Sequence, residues 1–94
     1  MEPIFRWHPE KARSNLRKHG VSFEEAASVF RDTLSVTIAD ILHSGEEDRF
    51  VTLGQSVRNR TLVVIQLEVE GEIRSISART ATRKERSNYG EGEL

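Results

Sequence analysis

The chain has no cysteine, so disulfides and thiolate-bound zinc are excluded. It has no long apolar run, so no stretch reads as a membrane-spanning helix. Its first residues, Met1-Glu2-Pro3-Ile4-Phe5-Arg6, lack the apolar centre of a secretory signal, and a cytoplasmic protein is the expectation. An excess of either charge sign is missing too: the formal net charge is -1. On so balanced a chain, a local gathering of positive charge points to an anionic partner. His8, His19 and His43 are scattered without metal-ligand spacing, and the carboxylates show no sign of converging, so no metal or cofactor is expected.

What is present suits one small folded domain. Ninety-four residues, 36% hydrophobic and 31% charged, can bury one modest core, which makes residues 1–94 a single domain. Ile4 to Trp7 reads as a short strand. Pro9 suits the first turn of a helix over Glu10 to His19, with Ala12, Leu16 and His19 as a narrow apolar stripe and Gly20 as the stop. Ser22 and Glu25 have the spacing of a capping box, opening a second helix whose buried face is Phe23, Ala26, Ala27 and Phe30 and which ends near Arg31-Asp32.

From Leu34 the period changes to two. Leu34, Val36 and Ile38 mark one strand, and Asp40 to Asp48 an acidic loop. Arg49 to Gln55 is a second strand, Ser56 to Arg60 a turn, and Thr61 to Val69 a central strand. Glu70-Gly71 supplies a hairpin turn into Glu72 to Arg79, with Ile76 and Ala78 on one side and Ser75, Ser77 and Arg79 on the other. Thr82 and Glu85 form a second capping box, opening a helix through about Tyr89, and residues 90–94 read as a frayed tail. The fold class is α+β: an antiparallel sheet packed against two N-terminal helices, with a C-terminal helix and all helices on one face. Phe5 and Trp7 are expected in the core rather than against a ligand.

The strand-to-helix passage Ile76-Ser77-Ala78-Arg79-Thr80-Ala81-Thr82-Arg83-Lys84-Glu85-Arg86-Ser87-Asn88-Tyr89 holds the chemistry. Four cations and one phenol fall within its last eleven residues. Arg83, Arg86 and Tyr89 are three apart and share a helix side.

Four pieces resemble the BrnT family of bacterial toxins when taken in order: Phe5 to Lys11, Asn15 to Ala26, His43 to Gly54, and Ile76-Ser77-Ala78-Arg79 with Thr82 to Arg86 and Tyr89. The resemblance implies a fold similar to RelE-type toxins and cleavage of RNA, on mRNA or the ribosome, that shuts down translation. It also implies a BrnA-like antitoxin that carries a ribbon-helix-helix-like DNA-binding domain and holds two toxins in a heterotetramer with two antitoxins. Two departures stand out. The family usually has Asp before the first Pro, where this chain has His8, so a weaker helix start is expected. Where the family often reads Asp-Pro-Leu, this chain has Asp32-Thr33-Leu34.

Metal-independent RNA cleavage needs a base near the 2′-hydroxyl and cations around the pentacoordinate phosphorus. Arg suits the second role and, always protonated, not the first. The residues expected to carry catalysis are Arg79, Arg83, Arg60, His19 and Tyr89. His19 would move the proton, because histidine titrates near neutrality and the charge of Lys18 favours its neutral form. Tyr89 would stack a base. Lys18, Arg58, Lys84 and Arg86 are expected to bind substrate. Two readings compete with this one. The same fold could bind RNA or ribosomes without cutting, or the basic helix could dock an acidic protein.

Overall fold

The computed structural model describes residues 3–43, 45 and 47–94. Met1, Glu2, Ser44 and Glu46, the last two belonging to the acidic loop, lie outside the described residues. The element order is β1 (Ile4–Arg6), α1 (Pro9–His19), α2 (Phe23–Ser28), β2 (Val36–Ala39), β3 (Asp48–Gln55), β4 (Thr61–Val69), β5 (Glu72–Thr80) and α3 (Arg83–Gly90). Single 3₁₀ turns at Val29–Arg31 and Ile41–His43 follow α2 and β2.

One five-stranded sheet has the order β1-β5-β4-β3-β2, with β4 at its centre. It is mixed rather than antiparallel: β1 runs parallel to β5, Phe5 opposite Ile73. The crossover that parallel pairing requires is the whole intervening chain, so no local signal at Ile4–Arg6 could announce it. The β4–β5 hairpin turns at Glu70-Gly71, both with positive φ, 50° and 82°. Ile65 pairs with Ser77 and Gln66 with Ser75, so Ile76 is a bulge residue, and the alternation expected across 75–79 breaks there.

The sheet buries both faces. On one, Leu62, Val64 and Ala78 meet Val21, Phe23, Ala26 and Val29 of the α1–α2 region, with Trp7 and Phe30 packed around them. Trp7 lies edge-on to Phe23 at 6.0 Å, and Phe5 lies 5.4 Å from Phe30, which accounts for both N-terminal aromatics. Gly54 sits under this layer. A Cβ there would come within 2.7 Å of Val29 Cγ1 and 2.9 Å of Ser35 Cβ, so the close approach requires glycine.

On the other face, Leu53, Val63 and Ala81 gather Val51, Tyr89 and Leu94. Strand alternation puts Val63 opposite in direction to Leu62 and Val64. The C-terminal helix therefore covers the face that α1 and α2 leave open, which corrects the expectation of helices on one side only. Residues 90–94, expected as a frayed tail, make bonds and a packing contact in the structure. Gly92 N–H donates to Tyr89 O, Glu93 N–H to Asn88 O, and Leu94 packs on the second cluster.

Helix α1 departs from its expected stripe. Leu16 is 52% exposed, and the buried residue is Asn15. Its amide donates to Ala78 O at 2.8 Å and to Val21 O at 2.9 Å, while its Oδ1 accepts from Ala78 N–H at 3.0 Å. Strand β1 pairs only with residues 72–74 of β5, so the upper edge of β5 would otherwise carry unpaired groups. Asn15 fills the place of a strand residue there. The start of α1 is capped after all: His8 Nδ1 accepts from Glu10 N–H at 3.2 Å, doing the job expected of an aspartate.

Candidate active site

One end of the sheet collects the basic residues. Gln55 pairs with Thr61 and Leu62 with Thr80, so the end of β3, the start of β4 and the end of β5 lie together. Ala81 N–H continues this ladder to Thr61 O at 2.8 Å, which sets the origin of α3 beside Arg60. Helix α1 ends at the same place, because Arg60 Nη2 donates to Gly20 O at 3.0 Å.

Arg79 and α3 form the first half of the site. Thr82 Oγ1 accepts from Glu85 N–H at 3.2 Å, and Glu85 Oε1 accepts from Thr82 N–H at 2.8 Å, a complete capping box. The same carboxylate receives Arg79 Nη1 at 2.8 Å and Nη2 at 3.0 Å. The bonds from Arg79 hold the Glu85 carboxyl down to about 2, the cap adding to the effect and burial opposing it. Arg83 and Lys84 are exposed, and among the described residues neither side chain makes a hydrogen bond or ion pair. Arg86 turns back to donate to Ala81 O at 3.0 Å.

Tyr89 is not an exposed stacking platform. Its ring packs on the second cluster and its hydroxyl donates to Asp32 Oδ2, pinning the end of α3 to the segment after α2. The bond to Asp32 and burial push the phenol up to about 12. Burial alone would raise the Asp32 carboxyl, but the bonds from Tyr89 and from the Gln55 and Leu34 N–H groups outweigh it and lower it.

Arg60 anchors the second half. Its Nε donates to Glu25 Oε2 at 2.9 Å and its Nη2 to Glu25 Oε1. Ser56 Oγ donates to Glu25 Oε2 at 2.7 Å and accepts the Arg58 N–H at 3.2 Å, so both ends of the 56–60 turn are tied to one buried carboxylate. The bonds from Arg60 lower the Glu25 carboxyl against burial, with Ser56 contributing. Arg58 is exposed on this turn. Lys18 and His19 line a shallow groove of about 260 Å³ with Lys11, Ser14, Asn15, Ile76 and Ser77, between α1 and β5.

The nine expected residues thus share one end of the sheet but not one pocket. Arg79, Arg83, Lys84, Arg86 and Tyr89 belong to the α3 side. Arg58 and Arg60 belong to the turn at α2, and the groove holding Lys18 and His19 takes in none of the others. At the opposite end of the α3 face, a second groove of about 400 Å³ is lined by His43, Gly45, Glu47, Arg49, Leu67 and Ile76. Its charges are largely paired: Arg49 lies 3.6 Å from Asp40, and Arg74 lies 3.6 Å from Glu47. Glu25, Asp32 and Glu85 hold the site together without having been singled out for it. Both glutamates were visible as capping residues, while nothing in the sequence ties Asp32 to Tyr89.

The model of the family described as the ribonuclease toxin, BrnT, of type II toxin–antitoxin systems matches residues 7–85. This chain belongs to the BrnT family. The matched span contains Lys18, His19, Arg58, Arg60, Arg79, Arg83 and Lys84, whereas Arg86 and Tyr89 lie beyond it. The crystal structure of the Brucella abortus ribonuclease toxin, BrnT, superposes with a TM-score of 0.62 at 25% identity, covering 88% of this chain and 99% of that one. No curated protein matches the chain. A five-stranded mixed sheet with three helices is therefore a BrnT-family fold, and an antitoxin partner follows from membership of a type II toxin family.

Proposed function

We propose that this BrnT-family chain is a metal-independent endoribonuclease with a RelE-like fold that blocks translation by cutting RNA in the cytoplasm. The observation that carries the reading is the free pair Arg83 and Lys84 beside the fixed Arg79, at the start of α3, in a chain of a ribonuclease toxin family. In the reaction, the 2′-oxygen bonds to the adjacent phosphorus and the bond from phosphorus to the 5′-oxygen breaks. The 2′-proton passes to a base and the 5′-oxygen takes up a proton, leaving a cyclic phosphate and a 5′-hydroxyl end. Arg79 and Arg83 would stabilise the phosphorane, and His19 is the proton carrier in this scheme.

The partner we propose is a BrnA-like antitoxin with a DNA-binding domain, two copies holding two toxins. An apolar row supports a protein partner: Leu34 just before edge strand β2, Ile38 on it, and Ile41 and Leu42 in the turn after it are all exposed, Leu42 by 92%.

Induced expression of the chain, with growth and RNA 5′-ends followed together, tests the proposal. Arrest with new 5′-hydroxyl ends, insensitive to EDTA and lost in Arg83→Ala by about a hundredfold or more in cleavage rate, is the expected result. Normal growth and intact RNA with folded protein would instead mark an RNA-binding module. The separation of the His19 groove from Arg79 is the feature that favours that second reading.

A further inference from the structure

Arg79 carries five N–H donors in a planar fork. Glu85 takes one from Nη1 and one from Nη2, and Thr80 O receives another from Nη1 at 3.3 Å. Among the described residues, nothing bonds Nε or the remaining Nη2 hydrogen. Those two hydrogens form the other bidentate edge of a guanidinium, the one that matches two oxygens of a phosphate. The Arg79 side chain is 40% exposed, so that edge is not sealed in the core.

We infer that Glu85 is a positioning residue: it grips the Nη1–Nη2 edge of Arg79 and leaves the Nε–Nη2 edge ready for an RNA phosphate. This rests on the ribonuclease reading above. The chain of restraint is short and rigid. The cap at Thr82 fixes the Glu85 carboxylate, the carboxylate fixes the guanidinium plane, and the plane presents the free edge. A free arginine on a strand end would sample many rotamers and lose that orientation on each encounter. The negative charge of Glu85 does not defeat phosphate binding, because Arg79 already neutralises it and Arg83 and Lys84 stand unpaired on the same turn.

The test is Glu85→Gln. Glutamine at this position still accepts the Thr82 N–H, so the cap survives, but it presents an amide N–H₂ where Arg79 Nη2 needs an acceptor. Cleavage of a short RNA should lose about tenfold or more in kcat, with a smaller change in KM. The double variant Arg79→Ala with Glu85→Gln should be no slower than Arg79→Ala alone. Glu85→Asp, which keeps the charge but is one methylene shorter, should remain slow, and it carries the same test should Glu85→Gln not fold.

An independent readout is the Arg79 Nε–H resonance during titration with adenosine 3′-monophosphate. It should shift in the wild-type protein and stay still in Glu85→Gln at the same concentrations. Wild-type or faster cleavage by Glu85→Gln, or additive loss in the double variant, would overturn the inference. A wild-type chain that cuts no RNA would sink the ribonuclease reading alone, and the Nε–H shift would still decide the positioning role.

Discussion

Glu25 and Glu85 hold the same place in the same motif, the third residue of a helix capped by Ser22 or Thr82, yet they end in different surroundings. In both helices the hydroxyl half of the box forms, Ser22 Oγ to Glu25 N–H at 3.0 Å and Thr82 Oγ1 to Glu85 N–H at 3.2 Å. Only Glu85 returns the bond to its cap. Glu25 is 3% exposed in its side chain against 26% for Glu85, and it turns away from Ser22 to meet Arg60 and Ser56. A buried carboxylate must find a cation and further donors, and that demand outweighs one backbone bond. The partly exposed Glu85 is free to serve its cap and Arg79 together. The motif thus predicts where a helix starts better than it predicts what its carboxylate does.

The largest effect should come from breaking the buried partner. Glu25→Ala leaves Arg60 and Ser56 without their acceptor in a tight turn and should cost about 3 kcal/mol. For a domain of this size, that is a fall in Tm of more than about 12 °C in a thermal melt. Glu85→Gln, by contrast, keeps its cap and loses a partly exposed ion pair, for a change of about 1 kcal/mol or less. Equal losses in the two variants would show that burial does not separate the two pairs.

Acid sharpens the same contrast. The Glu85 carboxyl sits at about 2 in the folded chain against an ordinary 4.5, and Glu25 and Asp32 are lowered as well. A group lowered by folding stabilises the native state above its unfolded value and loses that contribution as pH falls through its folded value. Stability should therefore decline from about pH 4.5 towards pH 2. Urea melts at stepped pH should show a shallower decline in Glu85→Gln, whose amide does not titrate. An unchanged slope would mean that the acid sensitivity lies with Glu25 and Asp32 alone.

Local signals made most of the fold legible. The period change at Leu34, the stop at Gly20 and the turn at Glu70-Gly71 each involve a few neighbouring residues. They appear in the structure within one or two positions, apart from β2, which is confined to Val36–Ala39. The features that were hidden depend on distant partners. The parallel pairing of β1 with β5, the placing of α3 on the opposite face and the bulge at Ile76 are settled only when the sheet assembles. Asn15 is the sharpest case. Read along α1, it looks like a polar residue next to an apolar stripe. Its burial makes sense only once Ala78, paired with Val64 on one side, is known to lack a strand on the other. The candidate site was legible as a basic cluster, but its restraint by Glu85, Glu25 and Asp32 was not, since acidic residues near basic ones are common on any surface.

Tyr89 gives the smallest and most selective break. Its hydroxyl bond to Asp32 ties α3 across the sheet end, and Asp32 keeps the Gln55 N–H at 2.8 Å and the Leu34 N–H at 3.0 Å without it. Tyr89→Phe should therefore cost about 1 kcal/mol and leave the ring packed on Leu53, Val63 and Ala81. The alkaline limb provides the check. A phenol raised by folding stabilises the native state fully below its unfolded value near 10 and loses that contribution as pH rises through about 12. Wild-type stability should fall over that range and that of Tyr89→Phe should fall less. Tyr89 is the chain's one tyrosine, so its ionisation can be followed by ultraviolet absorbance without interference from another phenol. RNA cleavage separates the two roles of the side chain. A hydroxyl committed to Asp32 has no proton to give at the phosphate, so Tyr89→Phe should cleave at close to the wild-type rate, and a loss of a hundredfold would place that hydroxyl in the reaction instead.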